Sequence, residues 1–445
     1  MNIKRKIAIA AIPAVMAMAS TSVDSKILLM SQEGWEVSFD GAANAFIMKN
    51  SVSNVPDSQG GTANVAADTY GGVAGGNDDT SIVTGLLPNV WGMTLKAPTA
   101  NGLDVSARLG LYTHMNGGDN SLGNGQLNIR ETSGSVAGSF GTVLVGRSLG
   151  IHQSNAILND MLLFGVGAAP SADNSNTTLG RIGLGYLYTD FQPQISWVTP
   201  GLGPIGLKVG VFDPNDVISV AGAADATENK YPRVEAELSY STKVADVGVD
   251  LWVDGSYQRT NFTTAANALT CQNANTNTPG NVAGNTTCDK GVDSAGGAWG
   301  TKLTYNNIAI TAAGFYGSGM GMRGQHTLAA STSVGALDDV GKERTTYGGY
   351  IQGTYDFGQG TSVGYSFGGN FMKKTGNDLS TVGSTEAGAP TGVMNGQQMH
   401  SGMIWHNLTD NFRLIAEGGY TEKMWYLADD DQEDTFGGVG AFFFW

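Results

Sequence analysis

Residues 435–445, Thr435-Phe-Gly-Gly-Val-Gly-Ala-Phe-Phe-Phe-Trp445, have the composition of a β-strand and end in four consecutive aromatic side chains. An apolar chain end needs a surface to bury against, because an exposed one frays and associates. Two folds supply that surface. One is a soluble β-protein with a buried last strand. The other is a transmembrane β-barrel, whose last strand pairs with the first and faces lipid on one side. The segment alone leaves both open.

The first residues carry a targeting pattern. Lys4, Arg5 and Lys6 precede an apolar run over 7–19 that ends in small residues. This predicts a secretory signal peptide over 1–19, followed by a single domain over 20–445. The run is shorter than the roughly 20 apolar residues of a membrane helix, and no later stretch approaches that length. A membrane location would therefore require β-strands.

Composition excludes several classes of function. The formal net charge of −15 argues against nucleic acid as a partner. The five histidines show no metal-ligand spacing and no serine–histidine–acid arrangement can be identified, so we expect no metal, no cofactor and no enzymatic activity. The 65 glycines and 14% charged residues suit a barrel with a wet interior better than a large dry core. Cys271 and Cys288 predict one disulfide, since an exported chain meets an oxidising compartment.

Several segments alternate between apolar and polar residues, as β-strands do. In 247–258, Val249, Leu251 and Val253 share one face, while Asp254 and Ser256 share the other. The segments 34–48, 361–372 and 411–421 alternate in the same way. A soluble sandwich alternates too, so this pattern predicts strands without choosing the fold.

The lengths of the connections between strands distinguish a barrel from a sandwich. They alternate long and short along the whole chain, which is how outer-membrane barrels with tight periplasmic turns and long outer loops are built. The long connections fall near 50–80, 115–126, 149–178, 214–231, 262–297, 319–343, 374–397 and 427–434. The short connections fall near 98–102, 138–141, 199–204, 242–246, 305–308, 357–360 and 407–411. With one strand over 179–198, this pattern predicts an all-β, sixteen-stranded antiparallel transmembrane β-barrel.

Aromatic residues fall at the predicted strand ends, where girdles at the lipid–water boundaries would place them. They are Trp91, Trp299, Tyr305, Trp405, Trp425, Tyr426 and Phe442 to Trp445.

The loop over 149–178 is unlike the others. It is far more apolar and contains a helix-compatible piece from Asn155 to Leu163. An apolar loop does not stay in solvent, so we expect this third loop to fold inside the barrel.

Over 126–190 the chain resembles the general trimeric porins of Gram-negative outer membranes. The likeness is carried by Gly146-Arg147, by Asp160-Met-Leu followed by Phe164-Gly165, and by Gly180-Arg181. In that family the third loop narrows the channel, and its acids face arginines of the wall. The resemblance implies that 149–178 is a constriction loop, that Asp160 is the loop acid, and that Arg147, Arg181 and Arg130 are basic wall positions.

Two features depart from that pattern. Leu163 stands where the family often has a second acid, which predicts a weaker field across the pore. The second strand, over 81–96, supplies no arginine to the wall; Arg108 shares the polar face of the third strand with Asp104 and Ser106, and we assign it to the wall as the substitute cation. The arginines have an alternative role, which is to anchor the loop through its carbonyl groups.

The resemblance also implies a homotrimer in contact with outer-membrane lipid and lipopolysaccharide. It implies an assembly signal at Phe443 and Trp445 for the barrel-assembly machinery. The expected function is a water-filled channel for passive diffusion of small hydrophilic solutes and ions. Two alternatives stay open at this point: a substrate-selective channel, with up to eighteen strands, and a surface adhesin or receptor that acts through its long loops.

Overall fold

A computed structural model of the chain describes residues 26–54, 78–115, 126–168, 177–201, 203–215, 227–262, 291–326, 335–338, 342–376, 393–426 and 430–445. The signal-peptide prediction over 1–19 and the predicted Cys271–Cys288 disulfide lie outside these residues. Within them, no helix has the length and apolar character needed to cross a membrane.

The described residues form one continuous antiparallel sheet of nineteen strand segments. The segments are β1 Ile27–Gln32, β2 Trp35–Val52, β3 Asp78–Val83, β4 Asn89–Lys96, β5 Asp104–His114, β6 Gln126–Gly138, β7 Gly141–Leu149, β8 Phe191–Val198, β9 Ile205–Phe212, β10 Thr227–Glu228, β11 Arg233–Val244, β12 Val247–Phe262, β13 Gly291–Tyr305, β14 Ile308–Ser318, β15 Thr345–Gly358, β16 Thr361–Lys373, β17 Met394–Thr409, β18 Phe412–Trp425 and β19 Gln432–Phe444. The helical elements are α1 Ser154–Leu158 and a 3₁₀ turn over Met161–Phe164.

Nineteen segments make sixteen barrel strands. β3 and β4 both pair with β2 and together form one interrupted strand. β10 and β11 both pair with β12 and form another. β1 is a short hairpin partner of the start of β2 and completes no further strand of the ring. The ring closes where β19 pairs with β2, so the predicted sixteen-stranded antiparallel barrel is confirmed.

The alternation of long and short connections is also confirmed. The seven short turns fall at 97–103, 139–140, 199–204, 245–246, 306–307, 359–360 and 410–411. Asn101 and Gly102 in the first of them both have positive φ angles, 53° and 75°, a backbone geometry that asparagine and glycine tolerate. The residue types of the short turns therefore explain the alternation of connection lengths that the sequence shows.

Side-chain exposure separates the barrel from a soluble sandwich. On β12, Leu251 and Val253 are 44% and 51% exposed, whereas Asp254 and Gln258 on the other face are 5% and 1% exposed. A soluble protein hides its apolar face, and this sheet presents it outward. That inversion fits an apolar solvent outside the barrel, which is lipid.

The terminal strand pairs with β2, from Phe444 opposite Ala42 to Asp434 opposite Val52, so the last strand of the ring pairs with the first. Its aromatic residues alternate between two clusters. Phe442 and Phe444 turn inward onto Phe164, with ring centroids 5.4 and 5.7 Å away. Trp445 lies outside with Trp91, 4.8 Å between centroids. The chain end therefore packs on both faces of the wall.

Three expectations need correction. The segment 179–198 is a strand only over Phe191–Val198, and residues 179–190 belong to the preceding connection. The second strand is broken at 84–88, where Asn44 bonds Gly85 N and Leu87 O at 2.8 and 2.9 Å. Among the proposed girdle residues, Trp405, Trp425, Phe442 and Phe444 do not face lipid: Trp405 lines an interior cavity, Trp425 is buried, and the two phenylalanines turn inward.

Candidate functional site

The connection between β7 and β8 is the most buried part of the described chain outside the strands. Its helical piece and 3₁₀ turn carry Ile157, Leu158, Leu162 and Leu163, all enclosed in one apolar cluster. The cluster includes wall residues from β2, β15, β17, β18 and β19, and also the break between β3 and β4. Part of the interior that composition led us to expect as wet is therefore filled by apolar side chains.

Wall carboxylates hold the beginning of this connection. Glu235 of β11 accepts hydrogen bonds from Ile151 N at 2.7 Å and His152 N at 2.9 Å. Asp254 of β12 accepts one from Gln153 N at 2.9 Å and lies 2.5 Å from His152 Nδ1. Both carboxylates are buried, so each satisfies backbone donors that would otherwise lack a partner.

A third carboxylate holds the far end. Glu417 of β18 accepts hydrogen bonds from Val166 N at 2.7 Å and Gly167 N at 2.9 Å, and also from Ser401 Oγ at 2.9 Å. The two bonds to Val166 and Gly167 join residues about 250 positions apart in the chain.

The middle of this connection is held by one amide side chain and a tyrosine. Gln352 of β15 accepts from Met161 N at 2.9 Å and donates to Asn159 O at 2.7 Å. Tyr350 donates to Ala156 O at 2.7 Å. The anchors stand on β11, β12, β15 and β18, which lie on different sides of a closed ring. We infer that this connection, hereafter the inner segment (150–168 and 177–190), crosses the inside of the barrel.

Asp160 serves the internal structure of the inner segment. Its Oδ1 caps the 3₁₀ turn by accepting from Leu162 N at 3.0 Å, and its Oδ2 accepts from Tyr186 OH at 2.9 Å. Burial raises the pKa of Asp160, and the nearby Arg181 charge and these hydrogen bonds oppose that shift. The carboxylate is thus already satisfied within the segment.

Arg181 lies in the inner segment and not on a strand, which corrects its expected place on the wall. It is 0% exposed. Its Nη1 donates to Leu184 O at 3.1 Å and Met399 O at 3.4 Å, and its Nε stands 3.9 Å from Asp160 Oδ1. Burial lowers the pKa of this guanidinium, and the Asp160 charge opposes that effect. These contacts match the anchoring role that we set beside the pore-lining one.

Arg108 is neutralised by two wall carboxylates. Its Nη1 lies 2.9 Å from Asp40 Oδ1 and its Nε lies 2.9 Å from Glu131 Oε2. Tyr112 donates a further hydrogen bond to Glu131 at 3.1 Å. Arg108 therefore faces the interior as expected, but within an ion-pair network that leaves it no excess charge.

Arg130 and Arg147 differ in setting. The guanidinium of Arg130 stacks at 5.3 Å over Tyr112 and 5.9 Å over Phe191, and it donates to Tyr188 OH at 3.3 Å. Arg147 pairs across the sheet with Thr132 and Pro193. No carboxylate of the described ranges lies within ion-pair distance of Arg147. The structure thus joins Arg181 to Asp160 and leaves Arg108, Arg130 and Arg147 apart from them.

Sequence reasoning missed the residues that hold the inner segment, chiefly Glu235, Asp254 and Glu417. Their signal was present, because each lies on the polar, inward face of an alternating strand. An apolar segment inside a barrel brings unsatisfied backbone N–H groups, and inward carboxylates are the acceptors that match them.

The same architecture occurs in solved structures. The outer membrane channel DcaP of Acinetobacter baumannii superposes with a TM-score of 0.62 at 15% identity, over 93% of this chain and 99% of that one. The anion-selective porin from Comamonas acidovorans gives 0.56 at 13% identity, over 92% and 100%. OmpF of Salmonella typhi, in complex with daunomycin, gives 0.51 at 12%, over 92% and 99%. At such low identity these likenesses establish the fold alone.

A comparison with curated protein sequences found no significant match. The family model for Gram-negative porins matches residues 7–377, which is most of the chain. This match agrees with the closed sixteen-stranded barrel and its outward apolar face, and it places the protein in the outer membrane. The chain belongs to the Gram-negative porin family.

Proposed function

We propose that this protein forms a water-filled channel for the passive diffusion of small hydrophilic solutes and ions across the outer membrane, and that it has no enzymatic activity. The observation that carries the proposal is the inverted sheet: a closed barrel with apolar side chains outside and polar side chains inside. Family membership supports the same function. The eighteen-stranded selective channel is not favoured, since the described ring has sixteen strands, and the match to the porin family does not favour the adhesin hypothesis.

Reconstitution in planar lipid bilayers tests this function. Purified, folded protein should produce stepwise conductance in potassium chloride, and liposomes containing it should swell in small sugars. Protein that keeps its β-sheet circular dichroism and its heat-modifiable migration, yet leaves the bilayer silent, would refute the channel.

We propose that the inner segment is the constriction. The expected loop over 149–178 forms only its first part, because the inward-lying chain continues to residue 190. Its anchoring by buried wall carboxylates supports a fixed obstacle in the lumen, which would set the size limit for solutes.

The contribution of Arg147 to the pore stays a prediction. If its charge lines the water path, Arg147→Ala shifts the zero-current potential in a salt gradient toward cation preference. Arg181→Ala, by contrast, should disturb the inner segment, because Arg181 bonds its carbonyl groups. An unchanged potential for Arg147→Ala assigns that residue a structural role.

We propose a homotrimer. The outward side chains of Leu127, Ile129, Val145 and Ile195 are exposed on adjoining strands, which gives an apolar wall suited to a second copy. A solved form of Vibrio cholerae OmpT, similar in fold with a TM-score of 0.50, is described as a trimer. Outer-membrane lipid and lipopolysaccharide, and the barrel-assembly machinery acting on Phe443 and Trp445, are proposed partners. Conductance steps in groups of three would support the trimer, and mass measurement of a monomer in mild detergent would refute it.

A further inference from the structure

A cavity of about 560 Å³ lies between the inner segment and the short-turn end of the barrel. The inner segment forms one wall through Met161 and Phe164, and strands β13 to β18 form the others, including Trp405. Its volume falls within the range of roughly 300–1,000 Å³ that is usual for small-molecule sites. We call this space the vestibule cavity.

Arg413 is a fixed cation in this cavity. Its guanidinium lies 5.3 Å from the ring centre of Phe164 and 5.5 Å from that of Phe444. Its Nε donates to Asn407 Oδ1 at 2.8 Å. No carboxylate of the described residues lies within ion-pair distance of it. The two aromatic rings and one amide therefore fix the orientation of Arg413 while its two Nη groups keep no protein partner among the described residues.

This setting contrasts with that of two other interior arginines. Arg108 is neutralised by Asp40 and Glu131, and Arg181 is enclosed by carbonyl groups and Asp160. A guanidinium without a carboxylate is free to bind an external one through two parallel N–H bonds. Arg413 thus retains a capacity that Arg108 and Arg181 have already used.

The other charged residues of the cavity do not prevent Arg413 from binding an external carboxylate. Lys302 also lines it and donates to Asn159 Oδ1 at 3.3 Å. Asp160 is buried and held by Tyr186 and Leu162. Asp356 lies at the exposed rim and accepts from Gly358 N at 2.8 Å in its own turn.

Apolar side chains form part of the cavity wall near the cation. Met161, Phe164, Met403, Trp405 and Ile415 all line the cavity. Aromatic rings and thioether groups are favourable contacts for a flat apolar body. The site therefore combines one anion-binding fork with an apolar and aromatic surface.

Resting on the proposed channel function, we infer that the vestibule cavity is a binding subsite for organic anions with an apolar body, of which aromatic monocarboxylates are the simplest class. The carboxylate bonds Arg413, and the ring lies against the aromatic and methionine side chains. Such a subsite gives the channel a preference among solutes that the constriction alone does not supply.

Benzoate is the probe, and benzamide is its neutral control of nearly the same shape. Benzoate should reduce the ion current of wild-type trimers in a saturable manner, and benzamide should not. Arg413→Gln should weaken the benzoate block by about tenfold or more, because a hydrogen bond to a charged group is worth at least a decade in affinity. Arg259→Gln makes the same change on the outer face, where Arg259 pairs with Asp293, and should leave the block unchanged.

Arg413→Lys provides a second test, since it keeps the charge and removes the fork. It should retain the wild-type zero-current potential and lose most of the benzoate block. Block that is equal in wild type and both Arg413 variants, or equal for benzoate and benzamide, would overturn the subsite. In either case potassium chloride conductance is measured first, so an inactive channel, which refutes the proposed function, is distinguishable from an active channel without the subsite.

Discussion

Removing the Glu417 carboxylate should release the far end of the inner segment. Glu417 is buried on β18 and accepts two backbone hydrogen bonds, from Val166 N and Gly167 N. In Glu417→Ala both donors lose their partner inside the barrel. In Glu417→Gln the amide oxygen replaces one acceptor, while its NH₂ group faces the other donor.

The magnitude follows from the two bonds. A hydrogen bond to a charged group contributes about 1.5–3 kcal/mol, so Glu417→Ala should reduce the free energy that holds the inner segment on the wall by about 3–6 kcal/mol. Every 1.4 kcal/mol is a factor of ten, so the detached population should rise on the order of a hundredfold or more. Glu417→Gln should cost about half as much. The two variants therefore predict a graded series.

Single-channel recording in planar bilayers measures the effect. Detachment should appear as flicker between conductance levels, rare in wild type, more frequent in Glu417→Gln and most frequent in Glu417→Ala. Glu422→Gln is the matched control, because Glu422 lies on the opposite face of the same strand and holds no part of the inner segment. Recordings in which all four proteins show the same quiet open level would refute the anchoring role of Glu417.

Three further predictions concern other parts of the barrel. Arg108→Met leaves the Asp40 and Glu131 carboxylates without their cation, so stability in urea should fall by about 3–5 kcal/mol, and adding Asp40→Asn should restore part of it. Burial, with a smaller effect of nearby positive charge, lowers the pKa of His326 well below 6.5. The folded state then binds fewer protons than the unfolded state in acid, so the stabilisation is fully present above about pH 6.5 and decreases below it by up to about 1.4 kcal/mol per pH unit. In His326→Gln the melting temperature should therefore change less between pH 7.5 and 5 than in the wild type. Deleting Trp445 removes its contact with Trp91 and its backbone pairing with Gly41, so the yield of inserted barrel should drop while the conductance of the inserted channels stays at the wild-type value.

The barrel was predictable because its determinants are local. Strand faces follow from a two-residue period, and turns such as Asn101-Gly102 carry residues that tolerate positive φ angles. Sixteen strands follow from counting connections, with no need to know which side chains touch. The break at 84–88 was missed because its cause is not local: Asn44, on the neighbouring strand, bonds the diverted backbone.

The roles of the arginines were not predictable from alternation, because alternation gives only the face. Arg108 and Arg413 both lie on the inward face of a strand whose residues alternate between apolar and polar. Arg108 contacts two carboxylates, whereas Arg413 contacts two aromatic rings. Which of these occurs depends on strand register and on where the inner segment lies, and both are set by residues far apart in sequence. The likeness of motif placed Arg181 on the barrel wall, whereas the structure places it in the inner segment.

The arrangement of charge inside this barrel follows from the apolar character of its inner segment. A segment rich in leucine offers the wall few acids to pair with arginines, but it brings backbone N–H groups that need acceptors. Carboxylates of the wall accept hydrogen bonds from those groups: Glu235, Asp254 and Glu417. With these acids bonded to backbone donors and to Arg108, Arg413 is one of the interior cations that no carboxylate of the described residues neutralises, and it lies below the inner segment. The positive charges of the vestibule cavity, Lys302 and Arg413, should therefore contribute to electrostatic selection in this channel.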